Sequence, residues 1–266
     1  MKGGSRVALV TGSAMGYKDY GPSIGGAIAI RLARDGYKLV VVDMLRAAGE
    51  RTVEIIKGAG GDAIFVRADV SLTKDIKMLV SFVKKNFGRL DCLVNNVARY
   101  SPGMLKSASE ISEREWYKTL DVNLNSYFKM SKYFIPLLLK SGFSTIINIS
   151  SIESMSALPN FSVYSVSKSA INSLTRTLAV DYAPMIRSNA VLPGFVRIAN
   201  SENGRTPSQL KGWYSKISRQ YPLKRVCEVE EIASVVSFLA SKESSYINGQ
   251  TIIVDGGKSI FDFHEF

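Results

Sequence analysis

The sequence predicts an α/β protein, a doubly wound parallel sheet of about seven strands with helices on both faces in three layers. Three observations carry this reading. Short β-branched runs alternate with longer amphipathic segments along the whole chain. Most of the short runs are continuously apolar, as parallel strands covered on both faces must be. A glycine-rich turn joins the first run to the first helical pattern, the place where such sheets bind phosphate.

The first strand, at 6–11, ends in Thr11-Gly12 and feeds a long turn with Gly16, Gly21, Gly25 and Gly26 before a helix at 24–35. Glycine there permits close backbone approach, and the free amides of Ser23, Ile24 and Gly25 at the helix start suit a pyrophosphate. The second strand, at 38–43, closes on Asp43. A carboxylate at this point accepts both ribose hydroxyls of an adenosine and repels a 2′-phosphate, which favours NAD over NADP. Arg46 and Lys18 keep NADP open, since either cation can pair with a phosphate. A helix at 46–58 leads to the third strand at 62–67, after which Asp69-Val70 suits an adenine edge. A helix at 73–87 leads to the fourth strand at 92–95, and Asn95-Asn96-Val97-Ala98 suits packing along the cofactor. Each such stretch alone is an ordinary strand-end turn. At successive strand ends they mark one crevice.

A long helix follows at 113–140, then a strand at 145–150, a helix at 163–182 and a strand at 188–192. The segment 198–221 breaks the rhythm, being polar and carrying only a short helix near 207–217. Its place after the sixth strand suits a substrate lid. A helix at 229–240 and a strand at 251–254 complete the pattern.

The 266 residues contain no linker or charge run, so 1–266 reads as a single nucleotide-binding domain. The opening apolar stretch is too short for a membrane span or a signal-peptide core, and a cytoplasmic protein is expected. The one histidine, His264, lies in an aromatic tail that suits subunit packing. A Ser-His-Asp triad or a histidine-based zinc site within one chain is therefore excluded. Cys92 and Cys227 lack metal-ligand spacing, and no metal is expected. The net charge of +11 is scattered, without a basic run or interleaved aromatics, so neither nucleic acid nor membrane is an expected partner. Any acid or base must come from Tyr, Lys, Asp, Glu or Cys.

Tyr164 and Lys168 meet that need. Four residues apart on a helix, a phenol and an ammonium share one face. Held together, the ammonium favours phenolate and draws the tyrosine toward neutrality, where a general base works best. Alone, such a pair is more often a surface contact.

The ordered set Thr11-Gly12, Ile24-Gly25, Asp69-Val70, Asn95-Asn96-Val97-Ala98, Asn123, Ser151, Tyr164-x-x-x-Lys168 and Pro193-Gly194 resembles the short-chain dehydrogenase/reductase family across nearly the whole chain. The closing stretch from Ile247 to Gly257 looks like that family's last strand and turn. The resemblance implies a Rossmann-like fold and a tetrad of Asn123, Ser151, Tyr164 and Lys168. Tyr164 exchanges the proton of the alcohol or carbonyl, and Ser151 donates to the developing oxyanion. Lys168 tunes the tyrosine and holds the nicotinamide ribose, while Asn123 positions a water. The implied cofactor contacts include Thr11, Gly12, Ser23, Ile24, Gly25, Asp43, Asp69, Val70, Asn95, Val97, Ala98, Tyr164, Lys168, Pro193, Gly194 and Val196.

Three positions depart from the family. The glycine loop is longer and has Ser23 at its middle glycine, so the Ser23 hydroxyl or the amides near Ile24 are expected to meet the pyrophosphate. The fourth-strand motif ends Val97-Ala98 in place of Ala-Gly, and Ile198 replaces a frequent threonine. The insertion resembles enoyl reductases, which space their Tyr and Lys more widely, so carbonyl reduction is the better reading. The polar residues Glu153, Asn160, Arg99 and Ser101 favour a polyhydroxylated small-molecule substrate such as an aldose. The alternatives are a 3-oxoacyl-thioester reductase, whose acidic carrier suits the basic charge, and a non-catalytic nucleotide-binding scaffold. The organisation also implies a homotetramer or homodimer.

Overall fold

The strands are β1 (Val7–Thr11), β2 (Lys38–Asp43), β3 (Ala63–Arg67), β4 (Cys92–Asn95), β5 (Ser144–Ile149), β6 (Ile186–Pro193) and β7 (Thr251–Val254). They form one parallel sheet in the order β3-β2-β1-β4-β5-β6-β7. This is a computed structural model, and it describes residues 5–15, 23–199 and 204–262. The chain order reverses direction at β1, which pairs with β2 on one side and β4 on the other. Ligands of open α/β sheets bind beyond the strand ends at such a reversal.

The helices are α1 (Ile24–Arg34), α2 (Arg46–Gly58), α3 (Thr73–Phe87), α4 (Glu113–Leu120), α5 (Ser126–Leu139), α6 (Ser162–Asp181), α7 (Pro207–Ser218) and α8 (Val229–Ala240). Side chains alternate across a strand, so β1 sends Ala8 and Val10 to one face and Val7 and Leu9 to the other. The first face packs on Ile28 and Leu32 of α1, Ile56 of α2 and Ile232 and Val236 of α8. The second packs on Ile76 and Leu79 of α3, Met130 and Phe134 of α5 and Leu178 of α6. Burial of both faces explains why these strands read as unbroken apolar runs.

Local signals set the ends. The Ser23 side chain caps α1 by accepting from the Gly26 amide, and Gly88 stops α3 with φ +72°, a conformation that favours glycine. Thr206 with Gln209 and Glu228 with Glu231 form capping boxes on α7 and α8.

Two expected elements differ. The helix expected over 113–140 is interrupted by a π turn, Asp121–Asn125, where the Ser126 amide donates to the Asp121 carbonyl five residues back. A single widened turn keeps the helical period, so residue patterning does not show it. The strand expected at 188–192 spans Ile186–Pro193. Arg187 hid its start: this residue is buried within the strand, its guanidinium donating to the carbonyls of Leu239, Ser241 and Ile247. Among the described residues no helix is long and apolar enough to cross a membrane, and no group of acidic, cysteine or histidine side chains could hold a metal.

Candidate active site

The reversal point is locked by Asn96. Its side-chain amide donates to the carbonyls of Thr11 and Gly12, both at 3.0 Å, and its backbone amide donates to the Thr11 hydroxyl at 3.0 Å. Gly25 packs onto this latch. A Cβ there would lie 2.2 Å from the Gly12 carbonyl oxygen and 2.5 Å from the Asn96 amide nitrogen. Gly12 has φ +62°, and its added Cβ would meet Val97 at 2.9 Å. Both glycines are thus needed to seat α1 against β1 and β4. Asn96 is a residue whose individual role sequence reasoning missed, although it sits inside the Asn-Asn-Val-Ala stretch.

The Ser23 hydroxyl is already engaged, donating to the Ala14 carbonyl at 2.6 Å and accepting from Gly26 at 3.0 Å. That removes it as the expected pyrophosphate donor. The amides of Ile24 and Gly25, at the same helix start, have no partner among the described residues. Asp43 accepts from the Ala14 and Leu45 amides, so its carboxylate also ties the glycine turn to β2. Arg46 is ion-paired with Glu50. Lys18, Gly16 and Gly21 lie outside the described residues. Asp69 spends one carboxylate oxygen on the amide and hydroxyl of Ser71, and Val70 is buried in the core.

Asn95 faces away from the expected contact. Its side chain is 1% exposed and donates to Asn148 at 2.9 Å, which in turn donates to Thr175. This polar ladder joins β4, β5 and α6 inside the protein. Val97 packs against the core while Ala98 is exposed at the crevice. On β6 and the turn beyond it, Pro193 lies in the buried strand, the Gly194 amide donates to the Val254 carbonyl, and Val196 is buried with the α8 core. Ile198 packs against the same cluster.

The residues expected to carry the proton transfer converge at the end of β5. Ser151 follows the strand in extended conformation, its hydroxyl accepts from the Glu153 amide at 3.2 Å, and its nearness to the Tyr164 phenol favours the phenolate. Lys168 is 1% exposed, and its Nζ donates to the Ile149 carbonyl at 2.9 Å. Nζ also lies 5.7 Å from the Tyr164 ring centroid and 5.5 Å from that of Tyr127. An ammonium has three donors, and Ile149 is the one hydrogen-bond acceptor for Lys168 among the described residues.

The electrostatics reverse one expectation. Burial pushes the Tyr164 phenol up to about 12, with the Ser151 hydroxyl opposing and Glu153 and Tyr100 adding to the rise. Burial also pulls Lys168 down to about 7. In the chain by itself, Lys168 therefore does not draw Tyr164 to neutrality, because the same dry surroundings disfavour charge on both.

Asn123, in the π turn, is fully buried, and its side chain clamps the Arg99 backbone, accepting from the amide at 2.6 Å and donating to the carbonyl at 3.3 Å. Its side chain is committed to that loop.

Of the four expected substrate residues, Glu153 keeps an open carboxylate oxygen, whereas Arg99, Ser101 and Asn160 are held in other contacts or in a turn. Glu153 is half-buried, its Oε2 has no hydrogen-bond partner among the described residues, and burial raises its carboxyl against the opposing influences of Lys258 and Ser156. Arg99 instead binds Glu115 at 2.8 Å and Thr119, and Ser101 also donates to Glu115. Glu115, on α4, is the partner that distance along the chain concealed. Asn160 is exposed with φ +65° at the third position of a turn closed by the Phe161 amide on the Leu158 carbonyl. Pro159 at the second position and Asn at the third suit that geometry, so Asn160 is a turn residue. Tyr100, Phe161 and Tyr164 form an aromatic row, with centroids 6.3 Å and 6.0 Å apart.

The expected lid segment carries α7, though residues 200–203 lie outside the described ones. Trp213 meets Phe195 edge-on at 5.1 Å, and Tyr214 lies 6.4 Å from it. The Tyr221 hydroxyl accepts from the Phe195 amide at 2.9 Å. The segment is thus anchored to the turn after β6.

Comparison with known proteins agrees with this architecture. A family model described as Enoyl-(Acyl carrier protein) reductase matches residues 21–259. An uncharacterized oxidoreductase of Thermotoga maritima is 37% identical, covering 96% of this chain and 97% of its own. Cyclohexanol dehydrogenase of an Acinetobacter species is 32% identical, over 95% and 94%. Glucose 1-dehydrogenase 2 of Bacillus subtilis is 34% identical, over 96% and 95%. The solved aldohexose dehydrogenase of Thermoplasma acidophilum superposes with a TM-score of 0.85 at 33% identity, over 98% and 97% of the chains. With its sheet order, its reversal-point glycines and the Tyr164–Lys168 pair at the end of β5, the chain belongs to the short-chain dehydrogenase/reductase family of NAD(P)-dependent oxidoreductases acting on alcohol and carbonyl groups.

Proposed function

We propose that the enzyme interconverts a polyhydroxylated secondary alcohol or sugar hemiacetal with its carbonyl, using NAD in preference to NADP. The carrying observation is the pairing of Ser151, Tyr164 and Lys168 in one dry corner, beside a Lys168 with donors to spare. Tyr164 is the acid-base group, and Ser151 holds the reacting oxygen. Lys168 fits a nicotinamide ribose, because two hydroxyls would take up its remaining N–H groups and restore its charge. That charge then favours phenolate at Tyr164. The nicotinamide ring, when bound, supplies the hydride acceptor or donor. The Ile24 and Gly25 amides suit the pyrophosphate, and Asp43 suits the adenosine ribose and opposes a 2′-phosphate.

Glu153 supports the hydroxylated substrate: its orphaned Oε2 is a buried acceptor that a substrate hydroxyl would satisfy. Glucose and aldohexose dehydrogenases among the relatives agree with this, whereas the aromatic row of Tyr100 and Phe161 suits a cyclic apolar alcohol such as the cyclohexanol relative oxidises. We read 1–266 as one nucleotide-binding domain with 198–221 as its lid. Exposed Phe128, Val166 and Val180 on α5 and α6 suit packing against further copies of the chain.

A second reading, reduction of 3-oxoacyl thioesters, draws on Lys216, Arg219 and Lys258, which with Asp262 line an open cavity beside α7, a mostly basic surface an acidic carrier would suit. One panel tests both: aldoses, polyols, cyclohexanol and acetoacetyl thioesters, each with both nicotinamide cofactors. Turnover of aldoses with an NAD preference is expected. Rapid thioester reduction with no sugar turnover contradicts the leading reading.

A further inference from the structure

Tyr127 is the second residue of α5, directly after the π turn, and is 1% exposed. Its phenol donates to the Ile149 carbonyl at 3.0 Å. Lys168 Nζ donates to that same carbonyl at 2.9 Å, and the Tyr127 ring centroid lies 5.5 Å from Nζ. A carbonyl oxygen has two lone pairs, so these two donors fill its capacity. A buried tyrosine with its hydroxyl committed beside the lysine closes that flank to water.

We propose that Tyr127 is a positioning residue for Lys168: its phenol and ring fix Nζ on the Ile149 carbonyl and reserve the other two N–H groups for ligand hydroxyls. This rests on the proposed nicotinamide-dependent function. Tyr164 on α6 faces both members of the pair, and Ser151 and Glu153 after β5 and Tyr100 after β4 act on Tyr164 in turn. Tyr127 itself is held well above the ordinary phenol value by burial and by Tyr164, so it stays a neutral donor across the working pH range. Removing its hydroxyl frees one lone pair of Ile149 and opens space for a water. Both changes favour the charged form of Lys168.

The test is titration of ¹³Cε-labelled lysines by NMR, with Lys168→Met assigning the signal, in the wild type and in Tyr127→Phe. The wild-type Lys168 should titrate near 7. In Tyr127→Phe it should titrate at least about half a unit higher, roughly a threefold change in proton affinity. NADH affinity should weaken several-fold, and the alkaline limb of the kcat/KM profile for alcohol oxidation, where the free enzyme loses the Lys168 proton, should move up with the Lys168 titration. Should Tyr127→Phe fold poorly, the wild-type protein gives the reciprocal reading: the ¹³Cζ signal of Tyr127 should follow the Lys168 titration. A Lys168 signal unchanged in Tyr127→Phe, or a Tyr127 signal blind to Lys168 in the wild type, overturns the proposal. The titration needs neither cofactor nor substrate. Absence of any nicotinamide-dependent turnover in the wild type would instead overturn the functional reading alone.

Discussion

Burial acts on Tyr164 and Lys168 in opposite directions, raising one to about 12 and lowering the other to about 7. The lysine shift has a consequence for stability. Between about 7 and its ordinary 10.5, the unfolded chain holds a proton on Lys168 that the folded chain does not, so stability rises with pH across that window. The penalty is fully present below 7. Lys168→Met should therefore melt higher than wild type at pH 6, with the gap closing toward pH 10.5, while losing hydride transfer. Calorimetry across that range checks the sign. At the reversal point, Gly25→Ala forces a methyl to within 2.2 Å of a backbone oxygen. It should cost about 1–3 kcal/mol of stability, as other overpacked sites do, and weaken cofactor binding, read by denaturant titration and fluorescence. The glycines and the Tyr164–Lys168 pair were legible because turn and helix geometry bring near neighbours in sequence together, while Ser151 and Asn123 were legible only through the family resemblance. Arg99 and Asn95 were not. Their partners, Glu115 and Asn148, come from other elements, and a polar residue's spacing alone does not say whether it faces solvent, ligand or another side chain.

The π turn is the element that sequence patterning missed, and it sets both sides of the site. It aims Asn123 at the Arg99 backbone and starts α5 so that Tyr127 reaches Ile149. The short helix near 207–217 was legible from composition, and the structure adds its anchor, Trp213 on Phe195. Trp213→Ala should loosen that anchor and raise the substrate KM about tenfold, roughly 1.4 kcal/mol, with a smaller change in kcat. An unchanged KM would show that α7 does not cover the substrate.

For the whole molecule, the fold was legible almost completely, since continuous apolar runs, alternating helices and strand-end motifs all point to one parallel sheet. What the sheet accomplishes is to bring Gly12 and Asn96 at the β1–β4 reversal, Asp43 at the end of β2, and Ser151 after β5 to one edge. Substrate identity is written in side chains that approach this edge from loops, and loops follow no period. The central claim, proton exchange at Tyr164 coupled to hydride transfer, is tested most directly by single-turnover hydride transfer in Tyr164→Phe, followed through the nicotinamide absorbance. Loss of about 10²–10⁴-fold in rate, with NADH affinity and melting temperature near wild type, is the expected result. Hydride transfer at the wild-type rate in that variant would contradict it.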